Sequence, residues 1–203
     1  MRLHLAKGTI ALAAHIALEE SGLDYDLVWV DFATGEQRSD AYLAINPKGR
    51  VPALETDHGI LTETSAMLGL IAALAPAAKL APTDPWAQAK VAEMHLYLAS
   101  TVHVNHAHKM RGSRWADDPA AHDAMRAKVA ENMTENAALI ERDYLTGPWV
   151  LGAAYSTADI YLYTIARWLG GDGVDLAPFP KLRAHMSAME ARAPVQSAIA
   201  LHT

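Results

Sequence analysis

Two short stretches of the sequence carry residue types that could bind a peptide-like ligand. In the first, Val51 is followed by Pro52 inside a strand-like run, although proline donates no hydrogen bond to a sheet. A cis peptide bond before Pro52, at the start of an edge strand, resolves this conflict. The backbone of Val51 is then predicted to be available to an extended ligand, with Arg50 beside it.

The second stretch is Glu63-Thr64, which directly precedes an apolar run typical of a helix. Backbone N–H groups and a capping hydroxyl at the start of a helix bind carboxylates, and the carboxylate of Glu63 would bind an ammonium group. Together, the two stretches predict a site for an α-amino acid head group and an extended peptide backbone. Glutathione has both of these features.

The same stretches resemble the glutathione transferase family, and nearly the whole chain is similar to its bacterial beta class. Residues 1–22 resemble the first strand and helix of that class, and residues 151–160 resemble the family's C-terminal folding signal. In that signal, Ser156 is predicted to cap the following helix and Asp159 to complete a capping box.

The order of strand-like and helix-like segments predicts an α/β thioredoxin-like N-terminal domain followed by an all-α C-terminal domain, which is the glutathione transferase fold. We expect a glutathione-binding domain at 1–75, a proline-rich linker at 76–86 and a helical domain at 87–203. Long helices are predicted from about 86 to beyond 108 and from about 119 to 144. Further helices are predicted after Ser156 and over about 181–193, with a short helix at the end.

The composition of the chain argues against several kinds of binding partner. The 203 residues carry a formal charge of −6 and no run of Lys or Arg, which argues against nucleic acid. No signal peptide and no apolar run long enough to span a bilayer are found, so a cytoplasmic protein without a membrane partner is expected. The absence of cysteine excludes disulfides and a protein thiol.

The positions that would activate a thiol depart from the beta-class pattern. In the family, the active group lies at the start of the first helix, where donors and the helix dipole favour the glutathione thiolate. The beta-class Tyr, Cys and Ser are replaced here by Leu5, Ile10 and Ala11. Thr9 is the remaining candidate donor, with Lys7 adding positive potential. Equally, Thr9 could only cap the helix, and Lys7 could be a solvated loop charge.

A histidine-rich stretch supplies the second candidate cluster. His103 and His106 are three residues apart and share a helix face, whereas His108 points elsewhere. The resemblance implies that His103 matches a family histidine on the sulphur side, with Ser100 one turn earlier. His103 could hydrogen-bond the sulphur or a leaving group, or these histidines could pack inside the helical domain. No metal is expected, because two histidines without neighbouring carboxylates or cysteine are too few ligands.

Two functions from different classes remain open. The resemblance implies a detoxifying enzyme, a homodimer that joins the thiolate of glutathione, as co-substrate, to a small hydrophobic electrophile or takes part in glutathione-dependent thiol exchange. The alternative is a non-catalytic glutathione-binding or interaction protein that has lost the activating residue. The catalytic candidates are Thr9 and His103. The substrate-binding candidates are Lys7, Arg50, Val51, Pro52, Glu63, Thr64, Ser100 and His106.

Overall fold

The computed structural model of the chain describes residues 1–202 and divides into two compact units. One unit contains Met1–Ala81 together with the residues from Glu190 onward, and the other is Pro82–Met189. Residues 190–202 therefore lie with the α/β unit, whereas the sequence predicts a helical domain at 87–203.

The first unit is built on a four-stranded mixed sheet in the order β2-β1-β3-β4. Its strands are β1 (Arg2–Leu5), β2 (Asp26–Trp29), β3 (Ala53–Thr56) and β4 (Gly59–Thr62). β1 runs parallel to β2 and antiparallel to β3, and β3 is antiparallel to β4. The prediction of an edge strand at Val51-Pro52 is wrong, because β3 has a partner on both sides. Pro52 avoids the conflict by lying directly before β3.

Nine α-helices are found within residues 1–202. They are α1 (Ala11–Ser21), α2 (Asp40–Ile45), α3 (Thr64–Leu74), α4 (Pro85–Tyr97), α5 (His103–Ala107), α6 (Pro119–Leu139), α7 (Thr157–Ala166), α8 (Pro180–Glu190) and α9 (Ala193–His202). The predicted order of an α/β unit followed by helices is confirmed.

The helix α1 explains why the C-terminal helix lies on the first unit. Every residue of α1 from Ala11 to Leu18 is buried, and a helix that is apolar all round must be covered all round. α9 packs against it, as does α3. Arg192, just before α9, donates two hydrogen bonds to Glu20, at 2.5 and 2.8 Å, which fix the start of α9 on α1.

Both long helices predicted in the second unit contain a π-helical turn. Leu98–Val102 joins α4 to α5, and Ile140–Tyr144 extends α6. A π turn inserts an extra residue into the helical repeat, so it changes which side chains share a face. The sequence period alone did not predict these insertions.

The start of α7 confirms the predicted capping box. The Ser156 side chain accepts from the Ala158 N–H at 3.2 Å, and the Ser156 N–H donates to Asp159 at 2.9 Å. The other oxygen of the buried Asp159 accepts from the Val150 N–H and faces the His185 ring. This carboxylate thus ties the loop before α7 to α8. Within residues 1–202, no helix combines the length and apolar composition needed to cross a membrane.

Candidate functional site

Strand register brings three candidate loops of the α/β unit to one end of its sheet. Ala53, the first residue of β3, lies opposite His4 near the end of β1 and opposite Thr62 at the end of β4. The segment after β1, the turn before β3 and the start of α3 therefore share that end. The candidate residues in these three segments are Lys7, Thr9, Arg50, Val51, Pro52, Glu63 and Thr64.

The turn before β3 has a backbone that only glycine can form at one position. Gly49 has a φ of 59°, and a Cβ there would lie 2.9 Å from the Gln37 carbonyl oxygen. Positive φ disfavours other residues, and the close approach excludes a side chain. After this turn, the peptide bond between Val51 and Pro52 is cis.

The carbonyl of Arg50 is held from two directions. It accepts hydrogen bonds from the Tyr42 hydroxyl at 2.8 Å and from the Asn46 side-chain amide at 2.6 Å. Burial raises the pKa of Tyr42 to about 12, so its hydroxyl stays protonated and donates at neutral pH. The backbone next to Val51 is therefore fixed by the protein itself before any ligand arrives.

Glu63 has an unusual backbone conformation and an exposed carboxylate. Its φ is 72° and its ψ is 117°, a region that costs a non-glycine residue of order 1–3 kcal/mol and is typical of functional sites. Its side chain is 70% exposed and accepts from Lys48 Nζ at 2.5 Å. Lys48 also donates to the Thr62 hydroxyl at 2.8 Å, so an ammonium group already lies where the carboxylate can hold one.

The start of α3 differs from other helix starts in this protein. Within the described residues, the side chain of Glu63 at the N-cap accepts no hydrogen bond from the first turn. By contrast, side chains cap α2, α4, α6 and α7, and these are Ser39, Asp84, Asp118 and Ser156. The first turn of α3, which begins at the buried Thr64, therefore presents backbone donors and the positive end of the helix dipole to an anion.

The start of α1 is apolar, and its one hydroxyl is used internally. Thr9 Oγ1 donates to the Ala6 carbonyl at 2.7 Å and accepts from the Ala11 N–H at 3.3 Å. Leu5, Ile10 and Ala11 are buried. Thr9 therefore caps the helix in this structure, and its hydroxyl would have to turn away from Ala6 to donate to a thiolate.

In the helical unit, two of the predicted histidines meet on one tryptophan. The His106 ring stacks on Trp168 with centroids 4.2 Å apart, and His103 meets the same ring edge-on at 5.2 Å. His108 instead packs on Trp115, as its spacing predicted. The Ser100 hydroxyl, on the π-helical turn, donates to the Leu96 carbonyl at 2.7 Å.

The carboxylate beside these histidines comes from elsewhere in the chain. Asp172, 66 residues after His106, accepts from His106 Nδ1 at 2.7 Å. Lys109 Nζ lies 3.4 Å from the other carboxylate oxygen, and Lys109 also donates to the Gly171 carbonyl. No pattern in the sequence predicts this contact, because the turn after α7 brings Asp172 there through tertiary packing. Among residues 1–202, no group of three or more His, Cys, Asp or Glu is arranged to hold a metal.

Comparisons with known proteins identify the family of the chain. The family described as glutathione S-transferase, N-terminal domain, matches residues 9–74, and glutathione S-transferase, C-terminal domain, matches residues 92–193. Glutathione S-transferase GstA of Escherichia coli O157:H7 is 31% identical over 202 residues, covering 98% of this chain and 97% of that protein. Glutathione S-transferase GST-4.5 of Xanthomonas campestris is 33% identical over 207 residues, covering 98% and 97%.

Solved structures give the same result. A glutathione transferase homologue from Sulfitobacter, solved with bound glutathione, has a TM-score of 0.96 and 52% identity, covering 98% of this chain and 97% of that one. A bacterial beta-class glutathione S-transferase from Sphingomonas chungbukensis has a TM-score of 0.86 and 30% identity, covering 100% and 98%. The resemblance predicted from the sequence is confirmed, and this chain belongs to the glutathione S-transferase family.

Proposed function

We propose that this protein binds glutathione at one end of the sheet in its α/β unit and transfers the glutathione sulphur to a small hydrophobic electrophile. The observation that carries the proposal is the start of α3, where Glu63 adopts a costly backbone conformation and leaves the first turn without a side-chain cap. The comparison with the Sulfitobacter homologue, which was solved with bound glutathione, also supports the proposal.

The γ-glutamyl group and the cysteinyl backbone of glutathione are proposed to bind at this end of the sheet. The α-carboxylate of the γ-glutamyl group is proposed to bind the N–H groups of the first turn of α3 and the Thr64 hydroxyl. Its ammonium group takes the place that Lys48 Nζ holds against Glu63. That exposed ion pair is worth about 0–1 kcal/mol, so a ligand displaces it at little cost. The cysteinyl backbone pairs with Val51.

Ionisation of the bound thiol is proposed to depend on the backbone at the start of α1. Lowering a thiol pKa by one to two units requires only about 1.4–2.7 kcal/mol of preference for the anion. Backbone donors and the dipole at a helix start can supply this without a dedicated side chain. The exposed Lys7 adds positive potential, and the hydroxyl of Thr9 contributes only if it leaves the Ala6 carbonyl.

Within the helical unit itself, three of the candidate residues are proposed to form a surface that binds a small hydrophobic molecule. Ser100, His103 and His106 lie on or next to the π-helical turn between α4 and α5. His103 and His106 share the aromatic surface of Trp168, which suits a flat hydrophobic molecule. A carboxylate-held histidine there also suits a substrate with a polar leaving group.

The deciding experiment is an ultraviolet titration of the glutathione thiol with and without the protein. We expect the pKa of the bound thiol to fall below that of free glutathione, together with conjugation to an aromatic halide. No detectable binding of glutathione would overturn the proposal.

A second function is favoured by one observation, namely that the Thr9 hydroxyl donates to Ala6 while Leu5, Ile10 and Ala11 are buried. On this reading the protein binds glutathione without activating it. Tight binding with no change in thiol ionisation and no conjugation would establish this alternative.

On likeness to the family alone, we further propose a homodimer that works in detoxification in the cytoplasm. Light scattering during gel filtration tests the dimer directly. A single species with the mass of one chain at micromolar concentration would contradict it.

A further inference from the structure

We propose that the facing imidazole rings of His15 and His202 form a pH-operated latch, which holds the end of α9 on α1 and releases it when the medium is acidified. The inference is independent of glutathione and goes beyond the proposed function. It depends on the contacts of the two side chains within the α/β unit, where release of α9 would uncover part of the apolar helix α1.

α9 is held on α1 at both of its ends. Just before its first residue, Arg192 donates two hydrogen bonds to Glu20. At its other end, the Nε2 atom of His202 lies 3.1 Å from the Nδ1 atom of His15, with the ring centroids 5.3 Å apart. The side chain of His15 is buried, so this contact lies inside the interface between the two helices.

The neighbours of His15 determine where its hydrogen lies. Burial and the carboxylate of Glu19 raise the pKa of Tyr25, so the Tyr25 hydroxyl stays protonated and donates its single hydrogen to that carboxylate. The Tyr25 oxygen, 3.1 Å from His15 Nε2, therefore accepts a hydrogen from the ring. The neutral His15 ring then has a lone pair on Nδ1, which accepts the Nε2 hydrogen of His202.

Added protons break this chain of hydrogen bonds. A proton on His15 Nδ1 meets the hydrogen that His202 Nε2 donates, so His202 must give that hydrogen up. With a second proton both rings are charged and repel each other. Charging a buried ring also removes the charge from water, which is costly. Burial accordingly lowers the pKa of His15, although the negative charge of Glu19 acts in the opposite direction.

Few charged groups within residues 1–202 face the pair. Glu19 Oε1 lies 3.7 Å from His15 Nε2, and β2 brings the uncharged ring of Trp29 against His202. α3, residues 76–78 and the rest of α9 contain no titratable side chain. The other titratable side chains on the adjoining strands and loop are Asp24 and Asp26, which are exposed, and Arg2 and His4, which pair with Glu55.

The direction of the pH effect follows from these contacts. Once α9 is released, each ring is solvated and has the ordinary histidine pKa of about 6.5. Below that pH the released form takes up protons that the docked form does not hold, so acid favours release. Between pH 7.5 and 5.5, the ratio of released to docked protein should rise about tenfold for each such proton.

The first test reads the hydrogens on the two rings by ¹⁵N NMR in the intact wild-type protein. At pH 7.5 we expect His15 and His202 to be neutral, each with its hydrogen on Nε2. On acidification, His15 should become charged at a lower pH than a histidine in an unstructured peptide. A hydrogen on Nδ1 of His15 at pH 7.5, or a charged His15 beside an α9 that is still docked, would overturn the latch.

The second test measures release by amide hydrogen exchange, with each rate divided by that of an unstructured chain at the same pH. Protection at the end of α9 should fall about tenfold between pH 7.5 and 5.5 for each proton gained on release. His15→Gln keeps an amide that can donate to Tyr25 and an oxygen that can accept from a neutral or charged His202, but it does not titrate. We therefore expect the fall to disappear in this variant.

A second histidine of the α/β unit supplies the matched control. His58 is exposed in the turn between β3 and β4, so His58→Gln should lose protection of α9 as the wild type does. The latch is overturned if the wild type keeps its full protection at pH 5.5, or if His15→Gln loses as much protection as the wild type. The NMR test needs the wild type alone, so it decides the proposal even if His15→Gln does not fold.

Discussion

Two helix starts in the α/β unit, those of α1 and α3, meet the same end of the sheet but are built in opposite ways. α3 begins at a residue with a costly backbone conformation, whose side chain does not cap the first turn but presents an exposed carboxylate. α1 begins with buried apolar residues, and its one hydroxyl, on Thr9, is used within the turn.

The difference separates two tasks that a thiol-transferring site must perform. Holding the ligand requires polar groups that the protein keeps available, and α3 provides them at a cost in backbone strain. Activating the sulphur requires only a few donors, and at α1 no familiar side chain supplies them. Binding and activation should therefore respond to different substitutions, which the following predictions test in order of expected effect.

The largest expected effect is a loss of folding stability at low pH. It determines the lowest pH at which glutathione binding at the two helix starts can be measured. Burial lowers the pKa of His95, in α4, from 6.5 to about 4, against a smaller opposing effect of a hydrogen bond with the Thr157 backbone. As pH falls from about 6.5 to 4, the unfolded chain takes up this proton first, so stability falls by roughly 3 kcal/mol. Urea midpoints across this range should show the loss.

A substitution that cannot titrate isolates this contribution. His95→Gln should flatten the fall in stability between pH 6.5 and 4, although His15, whose pKa burial also lowers, keeps part of it. His108→Gln should leave the slope unchanged. An unaltered slope in His95→Gln would contradict the assignment, and glutathione titrations belong above this range.

The next effect tests the α3 side of the comparison. Glu63→Gln keeps the shape of the side chain and removes the charge that would hold the ligand ammonium. Hydrogen bonds to charged groups contribute about 1.5–3 kcal/mol, so we expect the affinity for glutathione to fall about ten- to a hundredfold by calorimetry. An affinity within twofold of the wild type would contradict the proposal that the start of α3 binds the γ-glutamyl group.

Strain at Glu63 allows stability and binding to be changed in opposite directions. Glycine accepts a φ of 72° without strain, so Glu63→Gly should raise stability by about 1 kcal/mol while it weakens glutathione binding. The matched control is Lys79→Gly, since Lys79 also has a positive φ, of 54°. That variant should gain stability by about as much, as melting curves can show, and bind glutathione like the wild type.

The smallest effect tests the α1 side. Thr9→Val removes the hydroxyl that caps the helix, and we expect a loss of about 1 kcal/mol in stability. Thiol ionisation of bound glutathione should change little, because the hydroxyl hydrogen is directed at Ala6. Thr9→Ser keeps the cap and serves as the control. A large upward shift of the bound thiol pKa in Thr9→Val alone would make Thr9 the activating group.

Features with a local cause could be predicted from the sequence. The capping box of Ser156 and Asp159, the turn before Pro52 and the helix after Glu63 each depend on residues within a few positions of one another. The length of the mainly apolar run in α1, which ends just before Gly22, likewise identifies it as a helix. Such signals depend on capping and turn chemistry, which act over short stretches of chain.

Features that depend on distant residues could not be predicted. Asp172 reaches His106 only through packing of the turn after α7, so a carboxylate near the histidines could not be predicted. The place of β3 inside the sheet depends on pairing with both β1 and β4. The backbone strain at Glu63 is also invisible, because side-chain type does not reveal φ.

The position of α9 on α1 has a consequence for how the chain folds during synthesis. A ribosome makes the sheet, α1 and α3 first, but the helix that covers the remaining face of α1 emerges only after the whole of Pro82–Met189. Domains made first usually fold first, whereas contacts that join the two ends of a chain form slowly. The α/β unit should therefore stay incomplete until α9 has left the ribosome, with part of the apolar surface of α1 exposed to chaperones in the meantime.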